Sequence, residues 1–187
     1  MTVLPAHLGG HENETHIDDG ALSLMIENFG VKSYLDVGCG PGGMVDLAIS
    51  KGLDAQGVDG DFTVKRSFPC IIHDFTTGPA PIPNRIYDMG WSVEFVEHVE
   101  QRYISNYMDA FLKCKRVVLT HGLPGQPGHH HVNLQNAEYW FHTFAMYGFL
   151  FDLNTTNKLR QASTMAERYI RTTGLVFFNS NLNWQVV

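Results

Sequence analysis

Apolar positions along this chain alternate between two periodicities. Continuous runs at 33–37, 55–58, 70–73, 87–92, 116–120, 149–153 and 175–178 suit buried strands and are too short for helices. Between them, apolar residues recur at three- and four-residue spacing, as in helices with one buried face. Leu22, Met25, Ile26 and Phe29 mark a helix over 20–28, with Asp18 and Asp19 as caps and Gly30 as its stop. Val45, Leu47, Ala48 and Ile49 mark a second over 44–51, ended by Gly52. The stripe Phe95, Val99, Tyr103, Tyr107 and Phe111 predicts a long third helix over 94–112. Trp140, Phe144 and Met146 or Tyr147 predict a fourth over 135–147, ended by Gly148. Residues 61–69 are too few and too irregular for a full crossover helix, so the connection after strand two is trimmed. Strands alternating with helices predict an α/β fold, a mostly parallel sheet covered on both faces. Residues 1–17 are polar and carry His7, His11 and His16, forming a lead-in segment without a core.

Composition narrows the setting. The 187 residues are expected to form one domain, 1–187. No apolar run is long enough to span a bilayer, and no basic region precedes an apolar core at the start. Cys39, Cys70 and Cys114 are scattered, as in a reduced, cytoplasmic protein. A net charge of -6 disfavours broad nucleic-acid binding without excluding a local basic patch. Lys158, Arg160, Arg168 and Arg171, opposed only by Glu167, form either an anion-binding stretch or a solvated face.

The first strand ends in Asp36-Val37-Gly38-Cys39-Gly40-Pro41-Gly42-Gly43 and opens the second helix. Such a turn presents backbone N–H groups and a helix N-terminus to an anionic ligand group. Its spacing fits a dinucleotide loop, through Gly38, Gly40 and Gly43, and an S-adenosylmethionine (SAM) loop, through Gly38, Gly40 and Gly42. Asp59, after the second strand, suits the ribose hydroxyls of either ligand. Asp36 discriminates: a carboxylate there repels a pyrophosphate and suits the cationic ammonium and sulfonium of SAM.

Residues 35–42 resemble motif I of the class I SAM-dependent methyltransferases, and Gly57-Val58-Asp59-Gly60 resembles their second motif. The resemblance implies a three-layer Rossmann-like sandwich. Its seven-stranded sheet is mostly parallel, with an antiparallel seventh strand inserted between the fifth and sixth. It also implies site roles. Asp36, Gly38, Gly40 and Gly42 hold the methionine part, Asp59 and Gly60 the ribose, and Asp74 and Phe75 the adenine, unless Asp74 only starts a turn. Ser92, at the end of strand four, faces the methyl group. The lead-in either lays His11, Asn13, Thr15 or His16 over the cofactor or is a solvated arm.

A second constellation follows strand four. On a helix, Glu94, Glu97 and His98 project from one face. This Glu-x-x-Glu-His segment resembles that of ubiquinone-pathway O-methyltransferases and small-RNA ribose 2′-O-methyltransferases. In those enzymes it binds a divalent ion that acidifies the acceptor hydroxyls. The loop at 121–131, rich in histidine, would add His131. Two carboxylates with one or two imidazoles suit Mg²⁺, Mn²⁺, Fe²⁺ or Zn²⁺. Three other readings stand beside it: His98 as a metal-free base, glutamates that cap a helix, and a flexible histidine loop.

The expected function is therefore SAM-dependent methylation of a small-molecule or glycan-type hydroxyl, with His98 and Glu97 as catalytic groups. A nucleic-acid acceptor stays open. The rivals are a non-catalytic SAM-binding module and an NAD-dependent oxidoreductase, which Asp36 disfavours.

Overall fold

The computed structural model describes residues 4–182. The strands are β1 Ser33–Val37, β2 Asp54–Asp59, β3 Cys70–Ile72, β4 Tyr87–Ser92, β5 Cys114–Leu119, β6 Phe149–Phe151 and β7 Leu175–Asn179. They form one seven-stranded sheet in the order β3-β2-β1-β4-β5-β7-β6. β1 runs parallel to β2 and β4, while β7 is antiparallel to both β5 and β6. The chain therefore builds outward from β1 on one side and then resumes at β4 on the other. That reversal opens a crevice beyond the carboxyl ends of β1 and β4, the usual ligand position in open α/β sheets. The sheet order and the antiparallel final strand agree with the expected architecture.

Alternation along the strands divides the core in two. Leu35, Val37, Tyr87, Val117, Leu119 and Phe177 face α3 (Ile104–Phe111) and α4 (Ala137–Met146). Tyr34, Met89, Trp91, Val118 and Val176 face α1 (Asp19–Phe29), α2 (Gly43–Ser50) and α5 (Leu153–Ala162). On the first side Phe144 stacks on Phe177 with ring centroids 4.2 Å apart. Helix ends follow their capping residues. The Asp18 carboxylate accepts from Ala21 N, and Gly30 closes α1 at φ 59°. Asn136 and Asp152 cap α4 and α5 in the same way.

Three expectations change. The single helix over 94–112 is replaced by 3₁₀ turns at Val96–His98 and Gln101–Tyr103 and the short helix α3. Tertiary hydrogen bonds outcompete the helical ladder there: the Glu97 carbonyl accepts from Val132 N and Asn133 N, and Glu94 N donates to Thr120 Oγ1. Ile49 is exposed, because α2 buries Met44, Val45 and Ala48 instead. Of the two alternatives at the end of α4, Met146 is exposed and Tyr147 packs against the core beside the buried Trp140 and Phe144, as one of them was expected to. The basic stretch folds into α5 and α6 (Tyr169–Thr173), where Arg160 and Arg171 spend N–H groups on backbone carbonyls. No helix is apolar or long enough to cross a membrane among the described residues.

One buried-edge carboxylate ties three strands together. Asp88 accepts from Lys32 N, Ser33 N and Ser33 Oγ at the start of β1, and from Lys115 Nζ on β5. Burial pushes its carboxyl up, but Lys115 and the two N–H groups outweigh that, leaving it below the usual range. A depressed carboxylate stabilises the fold above the unfolded value of about 4, and the gain is lost as pH falls through the folded value. Asp88→Asn is therefore expected to lower Tm at pH 7, at a cost on the order of 1 kcal/mol. The difference from wild type should shrink below about pH 4; an unchanged Tm at pH 7 would remove this role.

Candidate functional site

A cavity of about 310 Å³ opens in the crevice beyond β1 and β4. The glycine turn forms its floor. Gly38, Gly40 and Gly42 have φ of 78°, 50° and 90°, the left-handed region that favours glycine. Gly38 N and Cys39 N both donate to Val58 O, which ties the turn to β2. The Phe95 ring packs on Gly38, where a Cβ would lie 2.3 Å from a ring carbon. Gly42 lies under the Phe68 ring and begins α2, so it shapes the turn from behind and does not line the cavity.

Asp36 lines the cavity and is buried. Burial pushes its carboxyl well above the usual range, against one long bond (3.4 Å) from the Tyr34 hydroxyl. A cationic ligand group would relieve that cost.

Asp59 is more committed than the sequence suggests. Its Oδ2 accepts from Gly40 N at 2.8 Å. Its Oδ1 accepts from Asp61 N at 2.8 Å and from Arg66 at 3.0 Å. One Oδ2 lone pair remains for a ribose hydroxyl, so recognition through both oxygens is not available in this state. Arg66 also donates to Gly40 O and Asp61 O. The guanidinium thus braces the turn where a crossover helix would otherwise pack. No sequence signal marked Arg66 beyond its being a basic residue in the trimmed connection.

Gly60, Asp74 and Phe75 reach the cavity wall. Asp74 Oδ1 accepts from Thr76 N, the turn-starting role, while Oδ2 faces His7 Nε2 at 2.9 Å. Phe75 packs edge-on against Phe95, 5.5 Å between centroids. Ser92 does not reach the cavity: it is buried, and its hydroxyl donates to Val37 O. Trp91 and Val93, on either side of it, line the wall instead.

The lead-in crosses the cavity and is not a free arm. His7 meets Asp74, His11 Nε2 meets Asp61 at 3.0 Å, and His16 meets Glu167 at 3.1 Å. Asn13 N donates to His11 Nδ1, so the Nε2 of that ring carries the hydrogen. Thr15 Oγ1 accepts from Gly43 N at the start of α2. Asn13 itself is exposed and does not line the cavity. Polar residues in a coreless segment gave no sign that His7 was one of these contacts.

At the far end of the cavity His98 and His131 line the wall, and Glu97, fully buried and outside the lining, has a ligand atom within 4.8 Å of both. Glu94, which an unbroken helix would have added, is not in this set. It has φ 52°, and its Oε1 accepts from the Thr120 hydroxyl, yet it lines the cavity. His98 Nδ1 donates to His129 O at 2.8 Å, and His131 Nδ1 donates to Gln126 O at 3.1 Å. Both rings therefore offer an Nε2 lone pair, fixed in direction by the backbone. Burial, then the neighbouring His131, lowers the His98 pKa to about 4. Burial, then the Glu94 charge, pushes Glu97 well up. Both Glu97 oxygens are buried and accept from no donor among the described residues; the neighbouring Glu94 carboxylate favours the protonated form of Glu97, so Glu94 accepts rather than donates. Gly122 and Gly128 provide the room: a Cβ would sit 3.1 Å from Glu97 Cβ at the first and 2.2 Å from the His131 ring at the second.

Comparison with solved structures shows the same fold in SAM-dependent methyltransferases. A TehB-like SAM-dependent methyltransferase from Corynebacterium glutamicum superposes with a TM-score of 0.63 at 15% identity, covering 86% of this chain and 87% of that one. The sugar N-methyltransferase KedS8 from Streptoalloteichus gives 0.62 at 12% identity, with 86% and 85% covered. A SAM-dependent methyltransferase from Archaeoglobus fulgidus gives 0.54 at 21% identity, and the match spans 68% of this chain and 66% of that one. No protein-family model and no curated protein sequence matches the chain. Identities this low establish the fold; the chemistry has to come from the site.

Proposed function

We propose that this chain is a SAM-dependent methyltransferase acting on a hydroxyl of a small-molecule or glycan-type acceptor. One observation carries the reading: a single cavity runs from Asp36 and the glycine turn to Glu94, His98 and His131. In this reading a cation-seeking carboxyl and a ribose acceptor stand at one end and proton-handling groups at the other. A pocket of SAM-binding form with reactive groups opening into it favours an enzyme over a binding module without catalysis.

In this reading Asp36 accepts the SAM ammonium, the backbone of Gly38 and Gly40 bounds the methionine part, Asp59 Oδ2 takes one ribose hydroxyl, and Phe75 flanks the adenine. Methyl transfer from a sulfonium needs alignment and removal of the hydroxyl proton. His98, with a pKa about 4, is a weak base at neutral pH and a good neutral ligand. Glu94 lines the cavity with its carboxyl raised by burial, so it is the better proton acceptor.

The orphaned oxygens of Glu97 and the two directed Nε2 lone pairs fit a divalent cation. Glu97, His98 and His131 would hold it, and a bound cation of this kind lowers the pKa of a hydroxyl beside it. Mg²⁺ is the least suited, since it prefers oxygen donors and keeps several waters, so Mn²⁺, Fe²⁺ or Zn²⁺ is favoured.

Calorimetry with S-adenosylhomocysteine (SAH) tests the cofactor: saturable binding is expected, and none to either SAH or SAM would overturn the reading. Transfer of labelled methyl to polyol and catechol acceptors tests the reaction. Turnover should stop in EDTA and return with Mn²⁺, whereas full turnover in EDTA would remove the metal.

A further inference from the structure

Two of the three free thiols lie side by side beneath the glycine turn. Cys39 Sγ and Cys70 Sγ are 3.6 Å apart, although the residues stand on β1's exit and on β3. Gly57 makes this possible. It pairs with Cys70 in the β2–β3 register, and a Cβ there would lie 2.8 Å from Cys39 Sγ. The missing side chain lets Cys39 fold back across β2 toward the sheet edge. Cys39 itself sits between Gly38 and Gly40 and lines the cavity.

The two thiols differ in reactivity. Cys70 is half-buried on β3, which is the edge of the sheet. Its thiol is held below the usual value by the hydrogen bond from Cys39 and, against burial, by the Arg66 guanidinium. Cys39 is pushed up by the same hydrogen bond and by burial. A part-exposed thiol with a lowered pKa, 3.6 Å from a more buried thiol, is the arrangement of an attacking and a resolving cysteine. Cys114 is fully buried on β5 and pushed up by burial, so it stays inert.

We propose that Cys39 and Cys70 form a reversible disulfide when a hydroperoxide oxidises the protein, and that this bond displaces the glycine turn and weakens adenosyl binding. The Cys70 thiolate attacks the outer peroxide oxygen. The O–O bond breaks, the alcohol or water leaves, and Cys70 becomes a sulfenic acid. Cys39 sulfur then attacks Cys70 sulfur, and the sulfenic oxygen departs as water with the Cys39 proton. Two thiols are oxidised and one peroxide is reduced. Closing the bond brings the sulfurs to about 2 Å. The turn has to follow, because Cys39 N and Gly38 N share Val58 O and Gly40 N holds Asp59.

The effect on ligand binding rests on the cofactor reading above; the disulfide does not. One aliquot of peroxide-treated full-length protein is denatured, alkylated and mapped by mass spectrometry; another is titrated with SAH before and after oxidation and after dithiothreitol. The expected result is a Cys39–Cys70 linked peptide, an alkylated Cys114, and SAH affinity weakened at least about tenfold, or 1.4 kcal/mol, and restored by the thiol. Cys70→Ser should keep its SAH affinity in peroxide. Sulfinic or sulfonic acid at Cys70 with Cys39 still alkylated overturns the disulfide. Equal SAH affinity of linked and reduced protein overturns its effect, as does an equal loss in Cys70→Ser. Reduced protein that binds no SAH counts against the cofactor reading alone, and the peptide map then still decides the bond.

Discussion

Glu97→Gln is expected to abolish Mn²⁺ binding and methyl transfer while SAH affinity stays within about twofold, that is within about 0.4 kcal/mol. Glu97 is fully buried, its oxygens have no donor among the described residues, and a ligand atom of it lies within 4.8 Å of those of His98 and His131. Removing the one carboxylate of this set should cost more than the roughly 10–100-fold that loss of an outer-shell partner costs. The uncharged amide also relieves a buried carboxyl pair and can donate to Glu94, so the variant should melt no lower than wild type without metal. That control separates a lost ligand from a lost fold. Electron paramagnetic resonance of Mn²⁺, with melting curves on the same samples, reads both. A variant that still orders Mn²⁺ with wild-type affinity would refute the ligand assignment, and wild-type turnover would refute any role in the reaction.

The second large effect concerns the turn. Gly38→Ala should reduce SAH affinity by more than about 100-fold, or 2.7 kcal/mol. Two costs coincide at this position. A φ of 78° is strained for alanine, on the order of 1 kcal/mol or more. The new Cβ would also lie 2.3 Å from the Phe95 ring, where backbone or ring must move at about 1–3 kcal/mol. Together these should lower Tm by several degrees, at roughly 2–4 °C per kcal/mol for a chain of this size. The double variant Gly38→Ala with Phe95→Ala removes the overlap and leaves the strained φ. It should recover part of the binding loss attributable to ring displacement. Calorimetry on both variants decides this: unchanged SAH affinity in Gly38→Ala would mean that the turn does not touch the ligand.

Much of the glycine-turn end of the cavity was legible because local rules fix it. Asp36, Gly38, Gly40, Asp59, Gly60, Asp74 and Phe75 lie within a short stretch of strand ends and turns, and each lines the cavity. Ser92 was misplaced by one position of strand alternation: its neighbours Trp91 and Val93 face the cavity, while its hydroxyl satisfies Val37 O. Glu94 was read as a partner of Glu97 through helical spacing. The segment is not helical, because the loop after β5 supplies hydrogen bonds that the helix would have made internally. Glu97 and His98 remain paired with His131 all the same, since the loop wraps around the Glu97 carbonyl.

Strand runs, helix caps and the glycine turn are set by nearest neighbours. From them the sequence by itself determined the α/β class, the strand runs and the glycine turn, while the antiparallel final strand, which the sheet contains, was implied by the family resemblance. The rest depends on contacts between distant residues. Only the folded chain lays His7, His11 and His16 across the cavity, sets Arg66 beneath the turn, and brings Cys39 to Cys70. It also collects Glu97, His98 and His131. No periodicity encodes these pairs, because their partners come from segments whose meeting is decided by the packing of the sheet, where a hydrogen bond or a missing glycine side chain settles which groups touch.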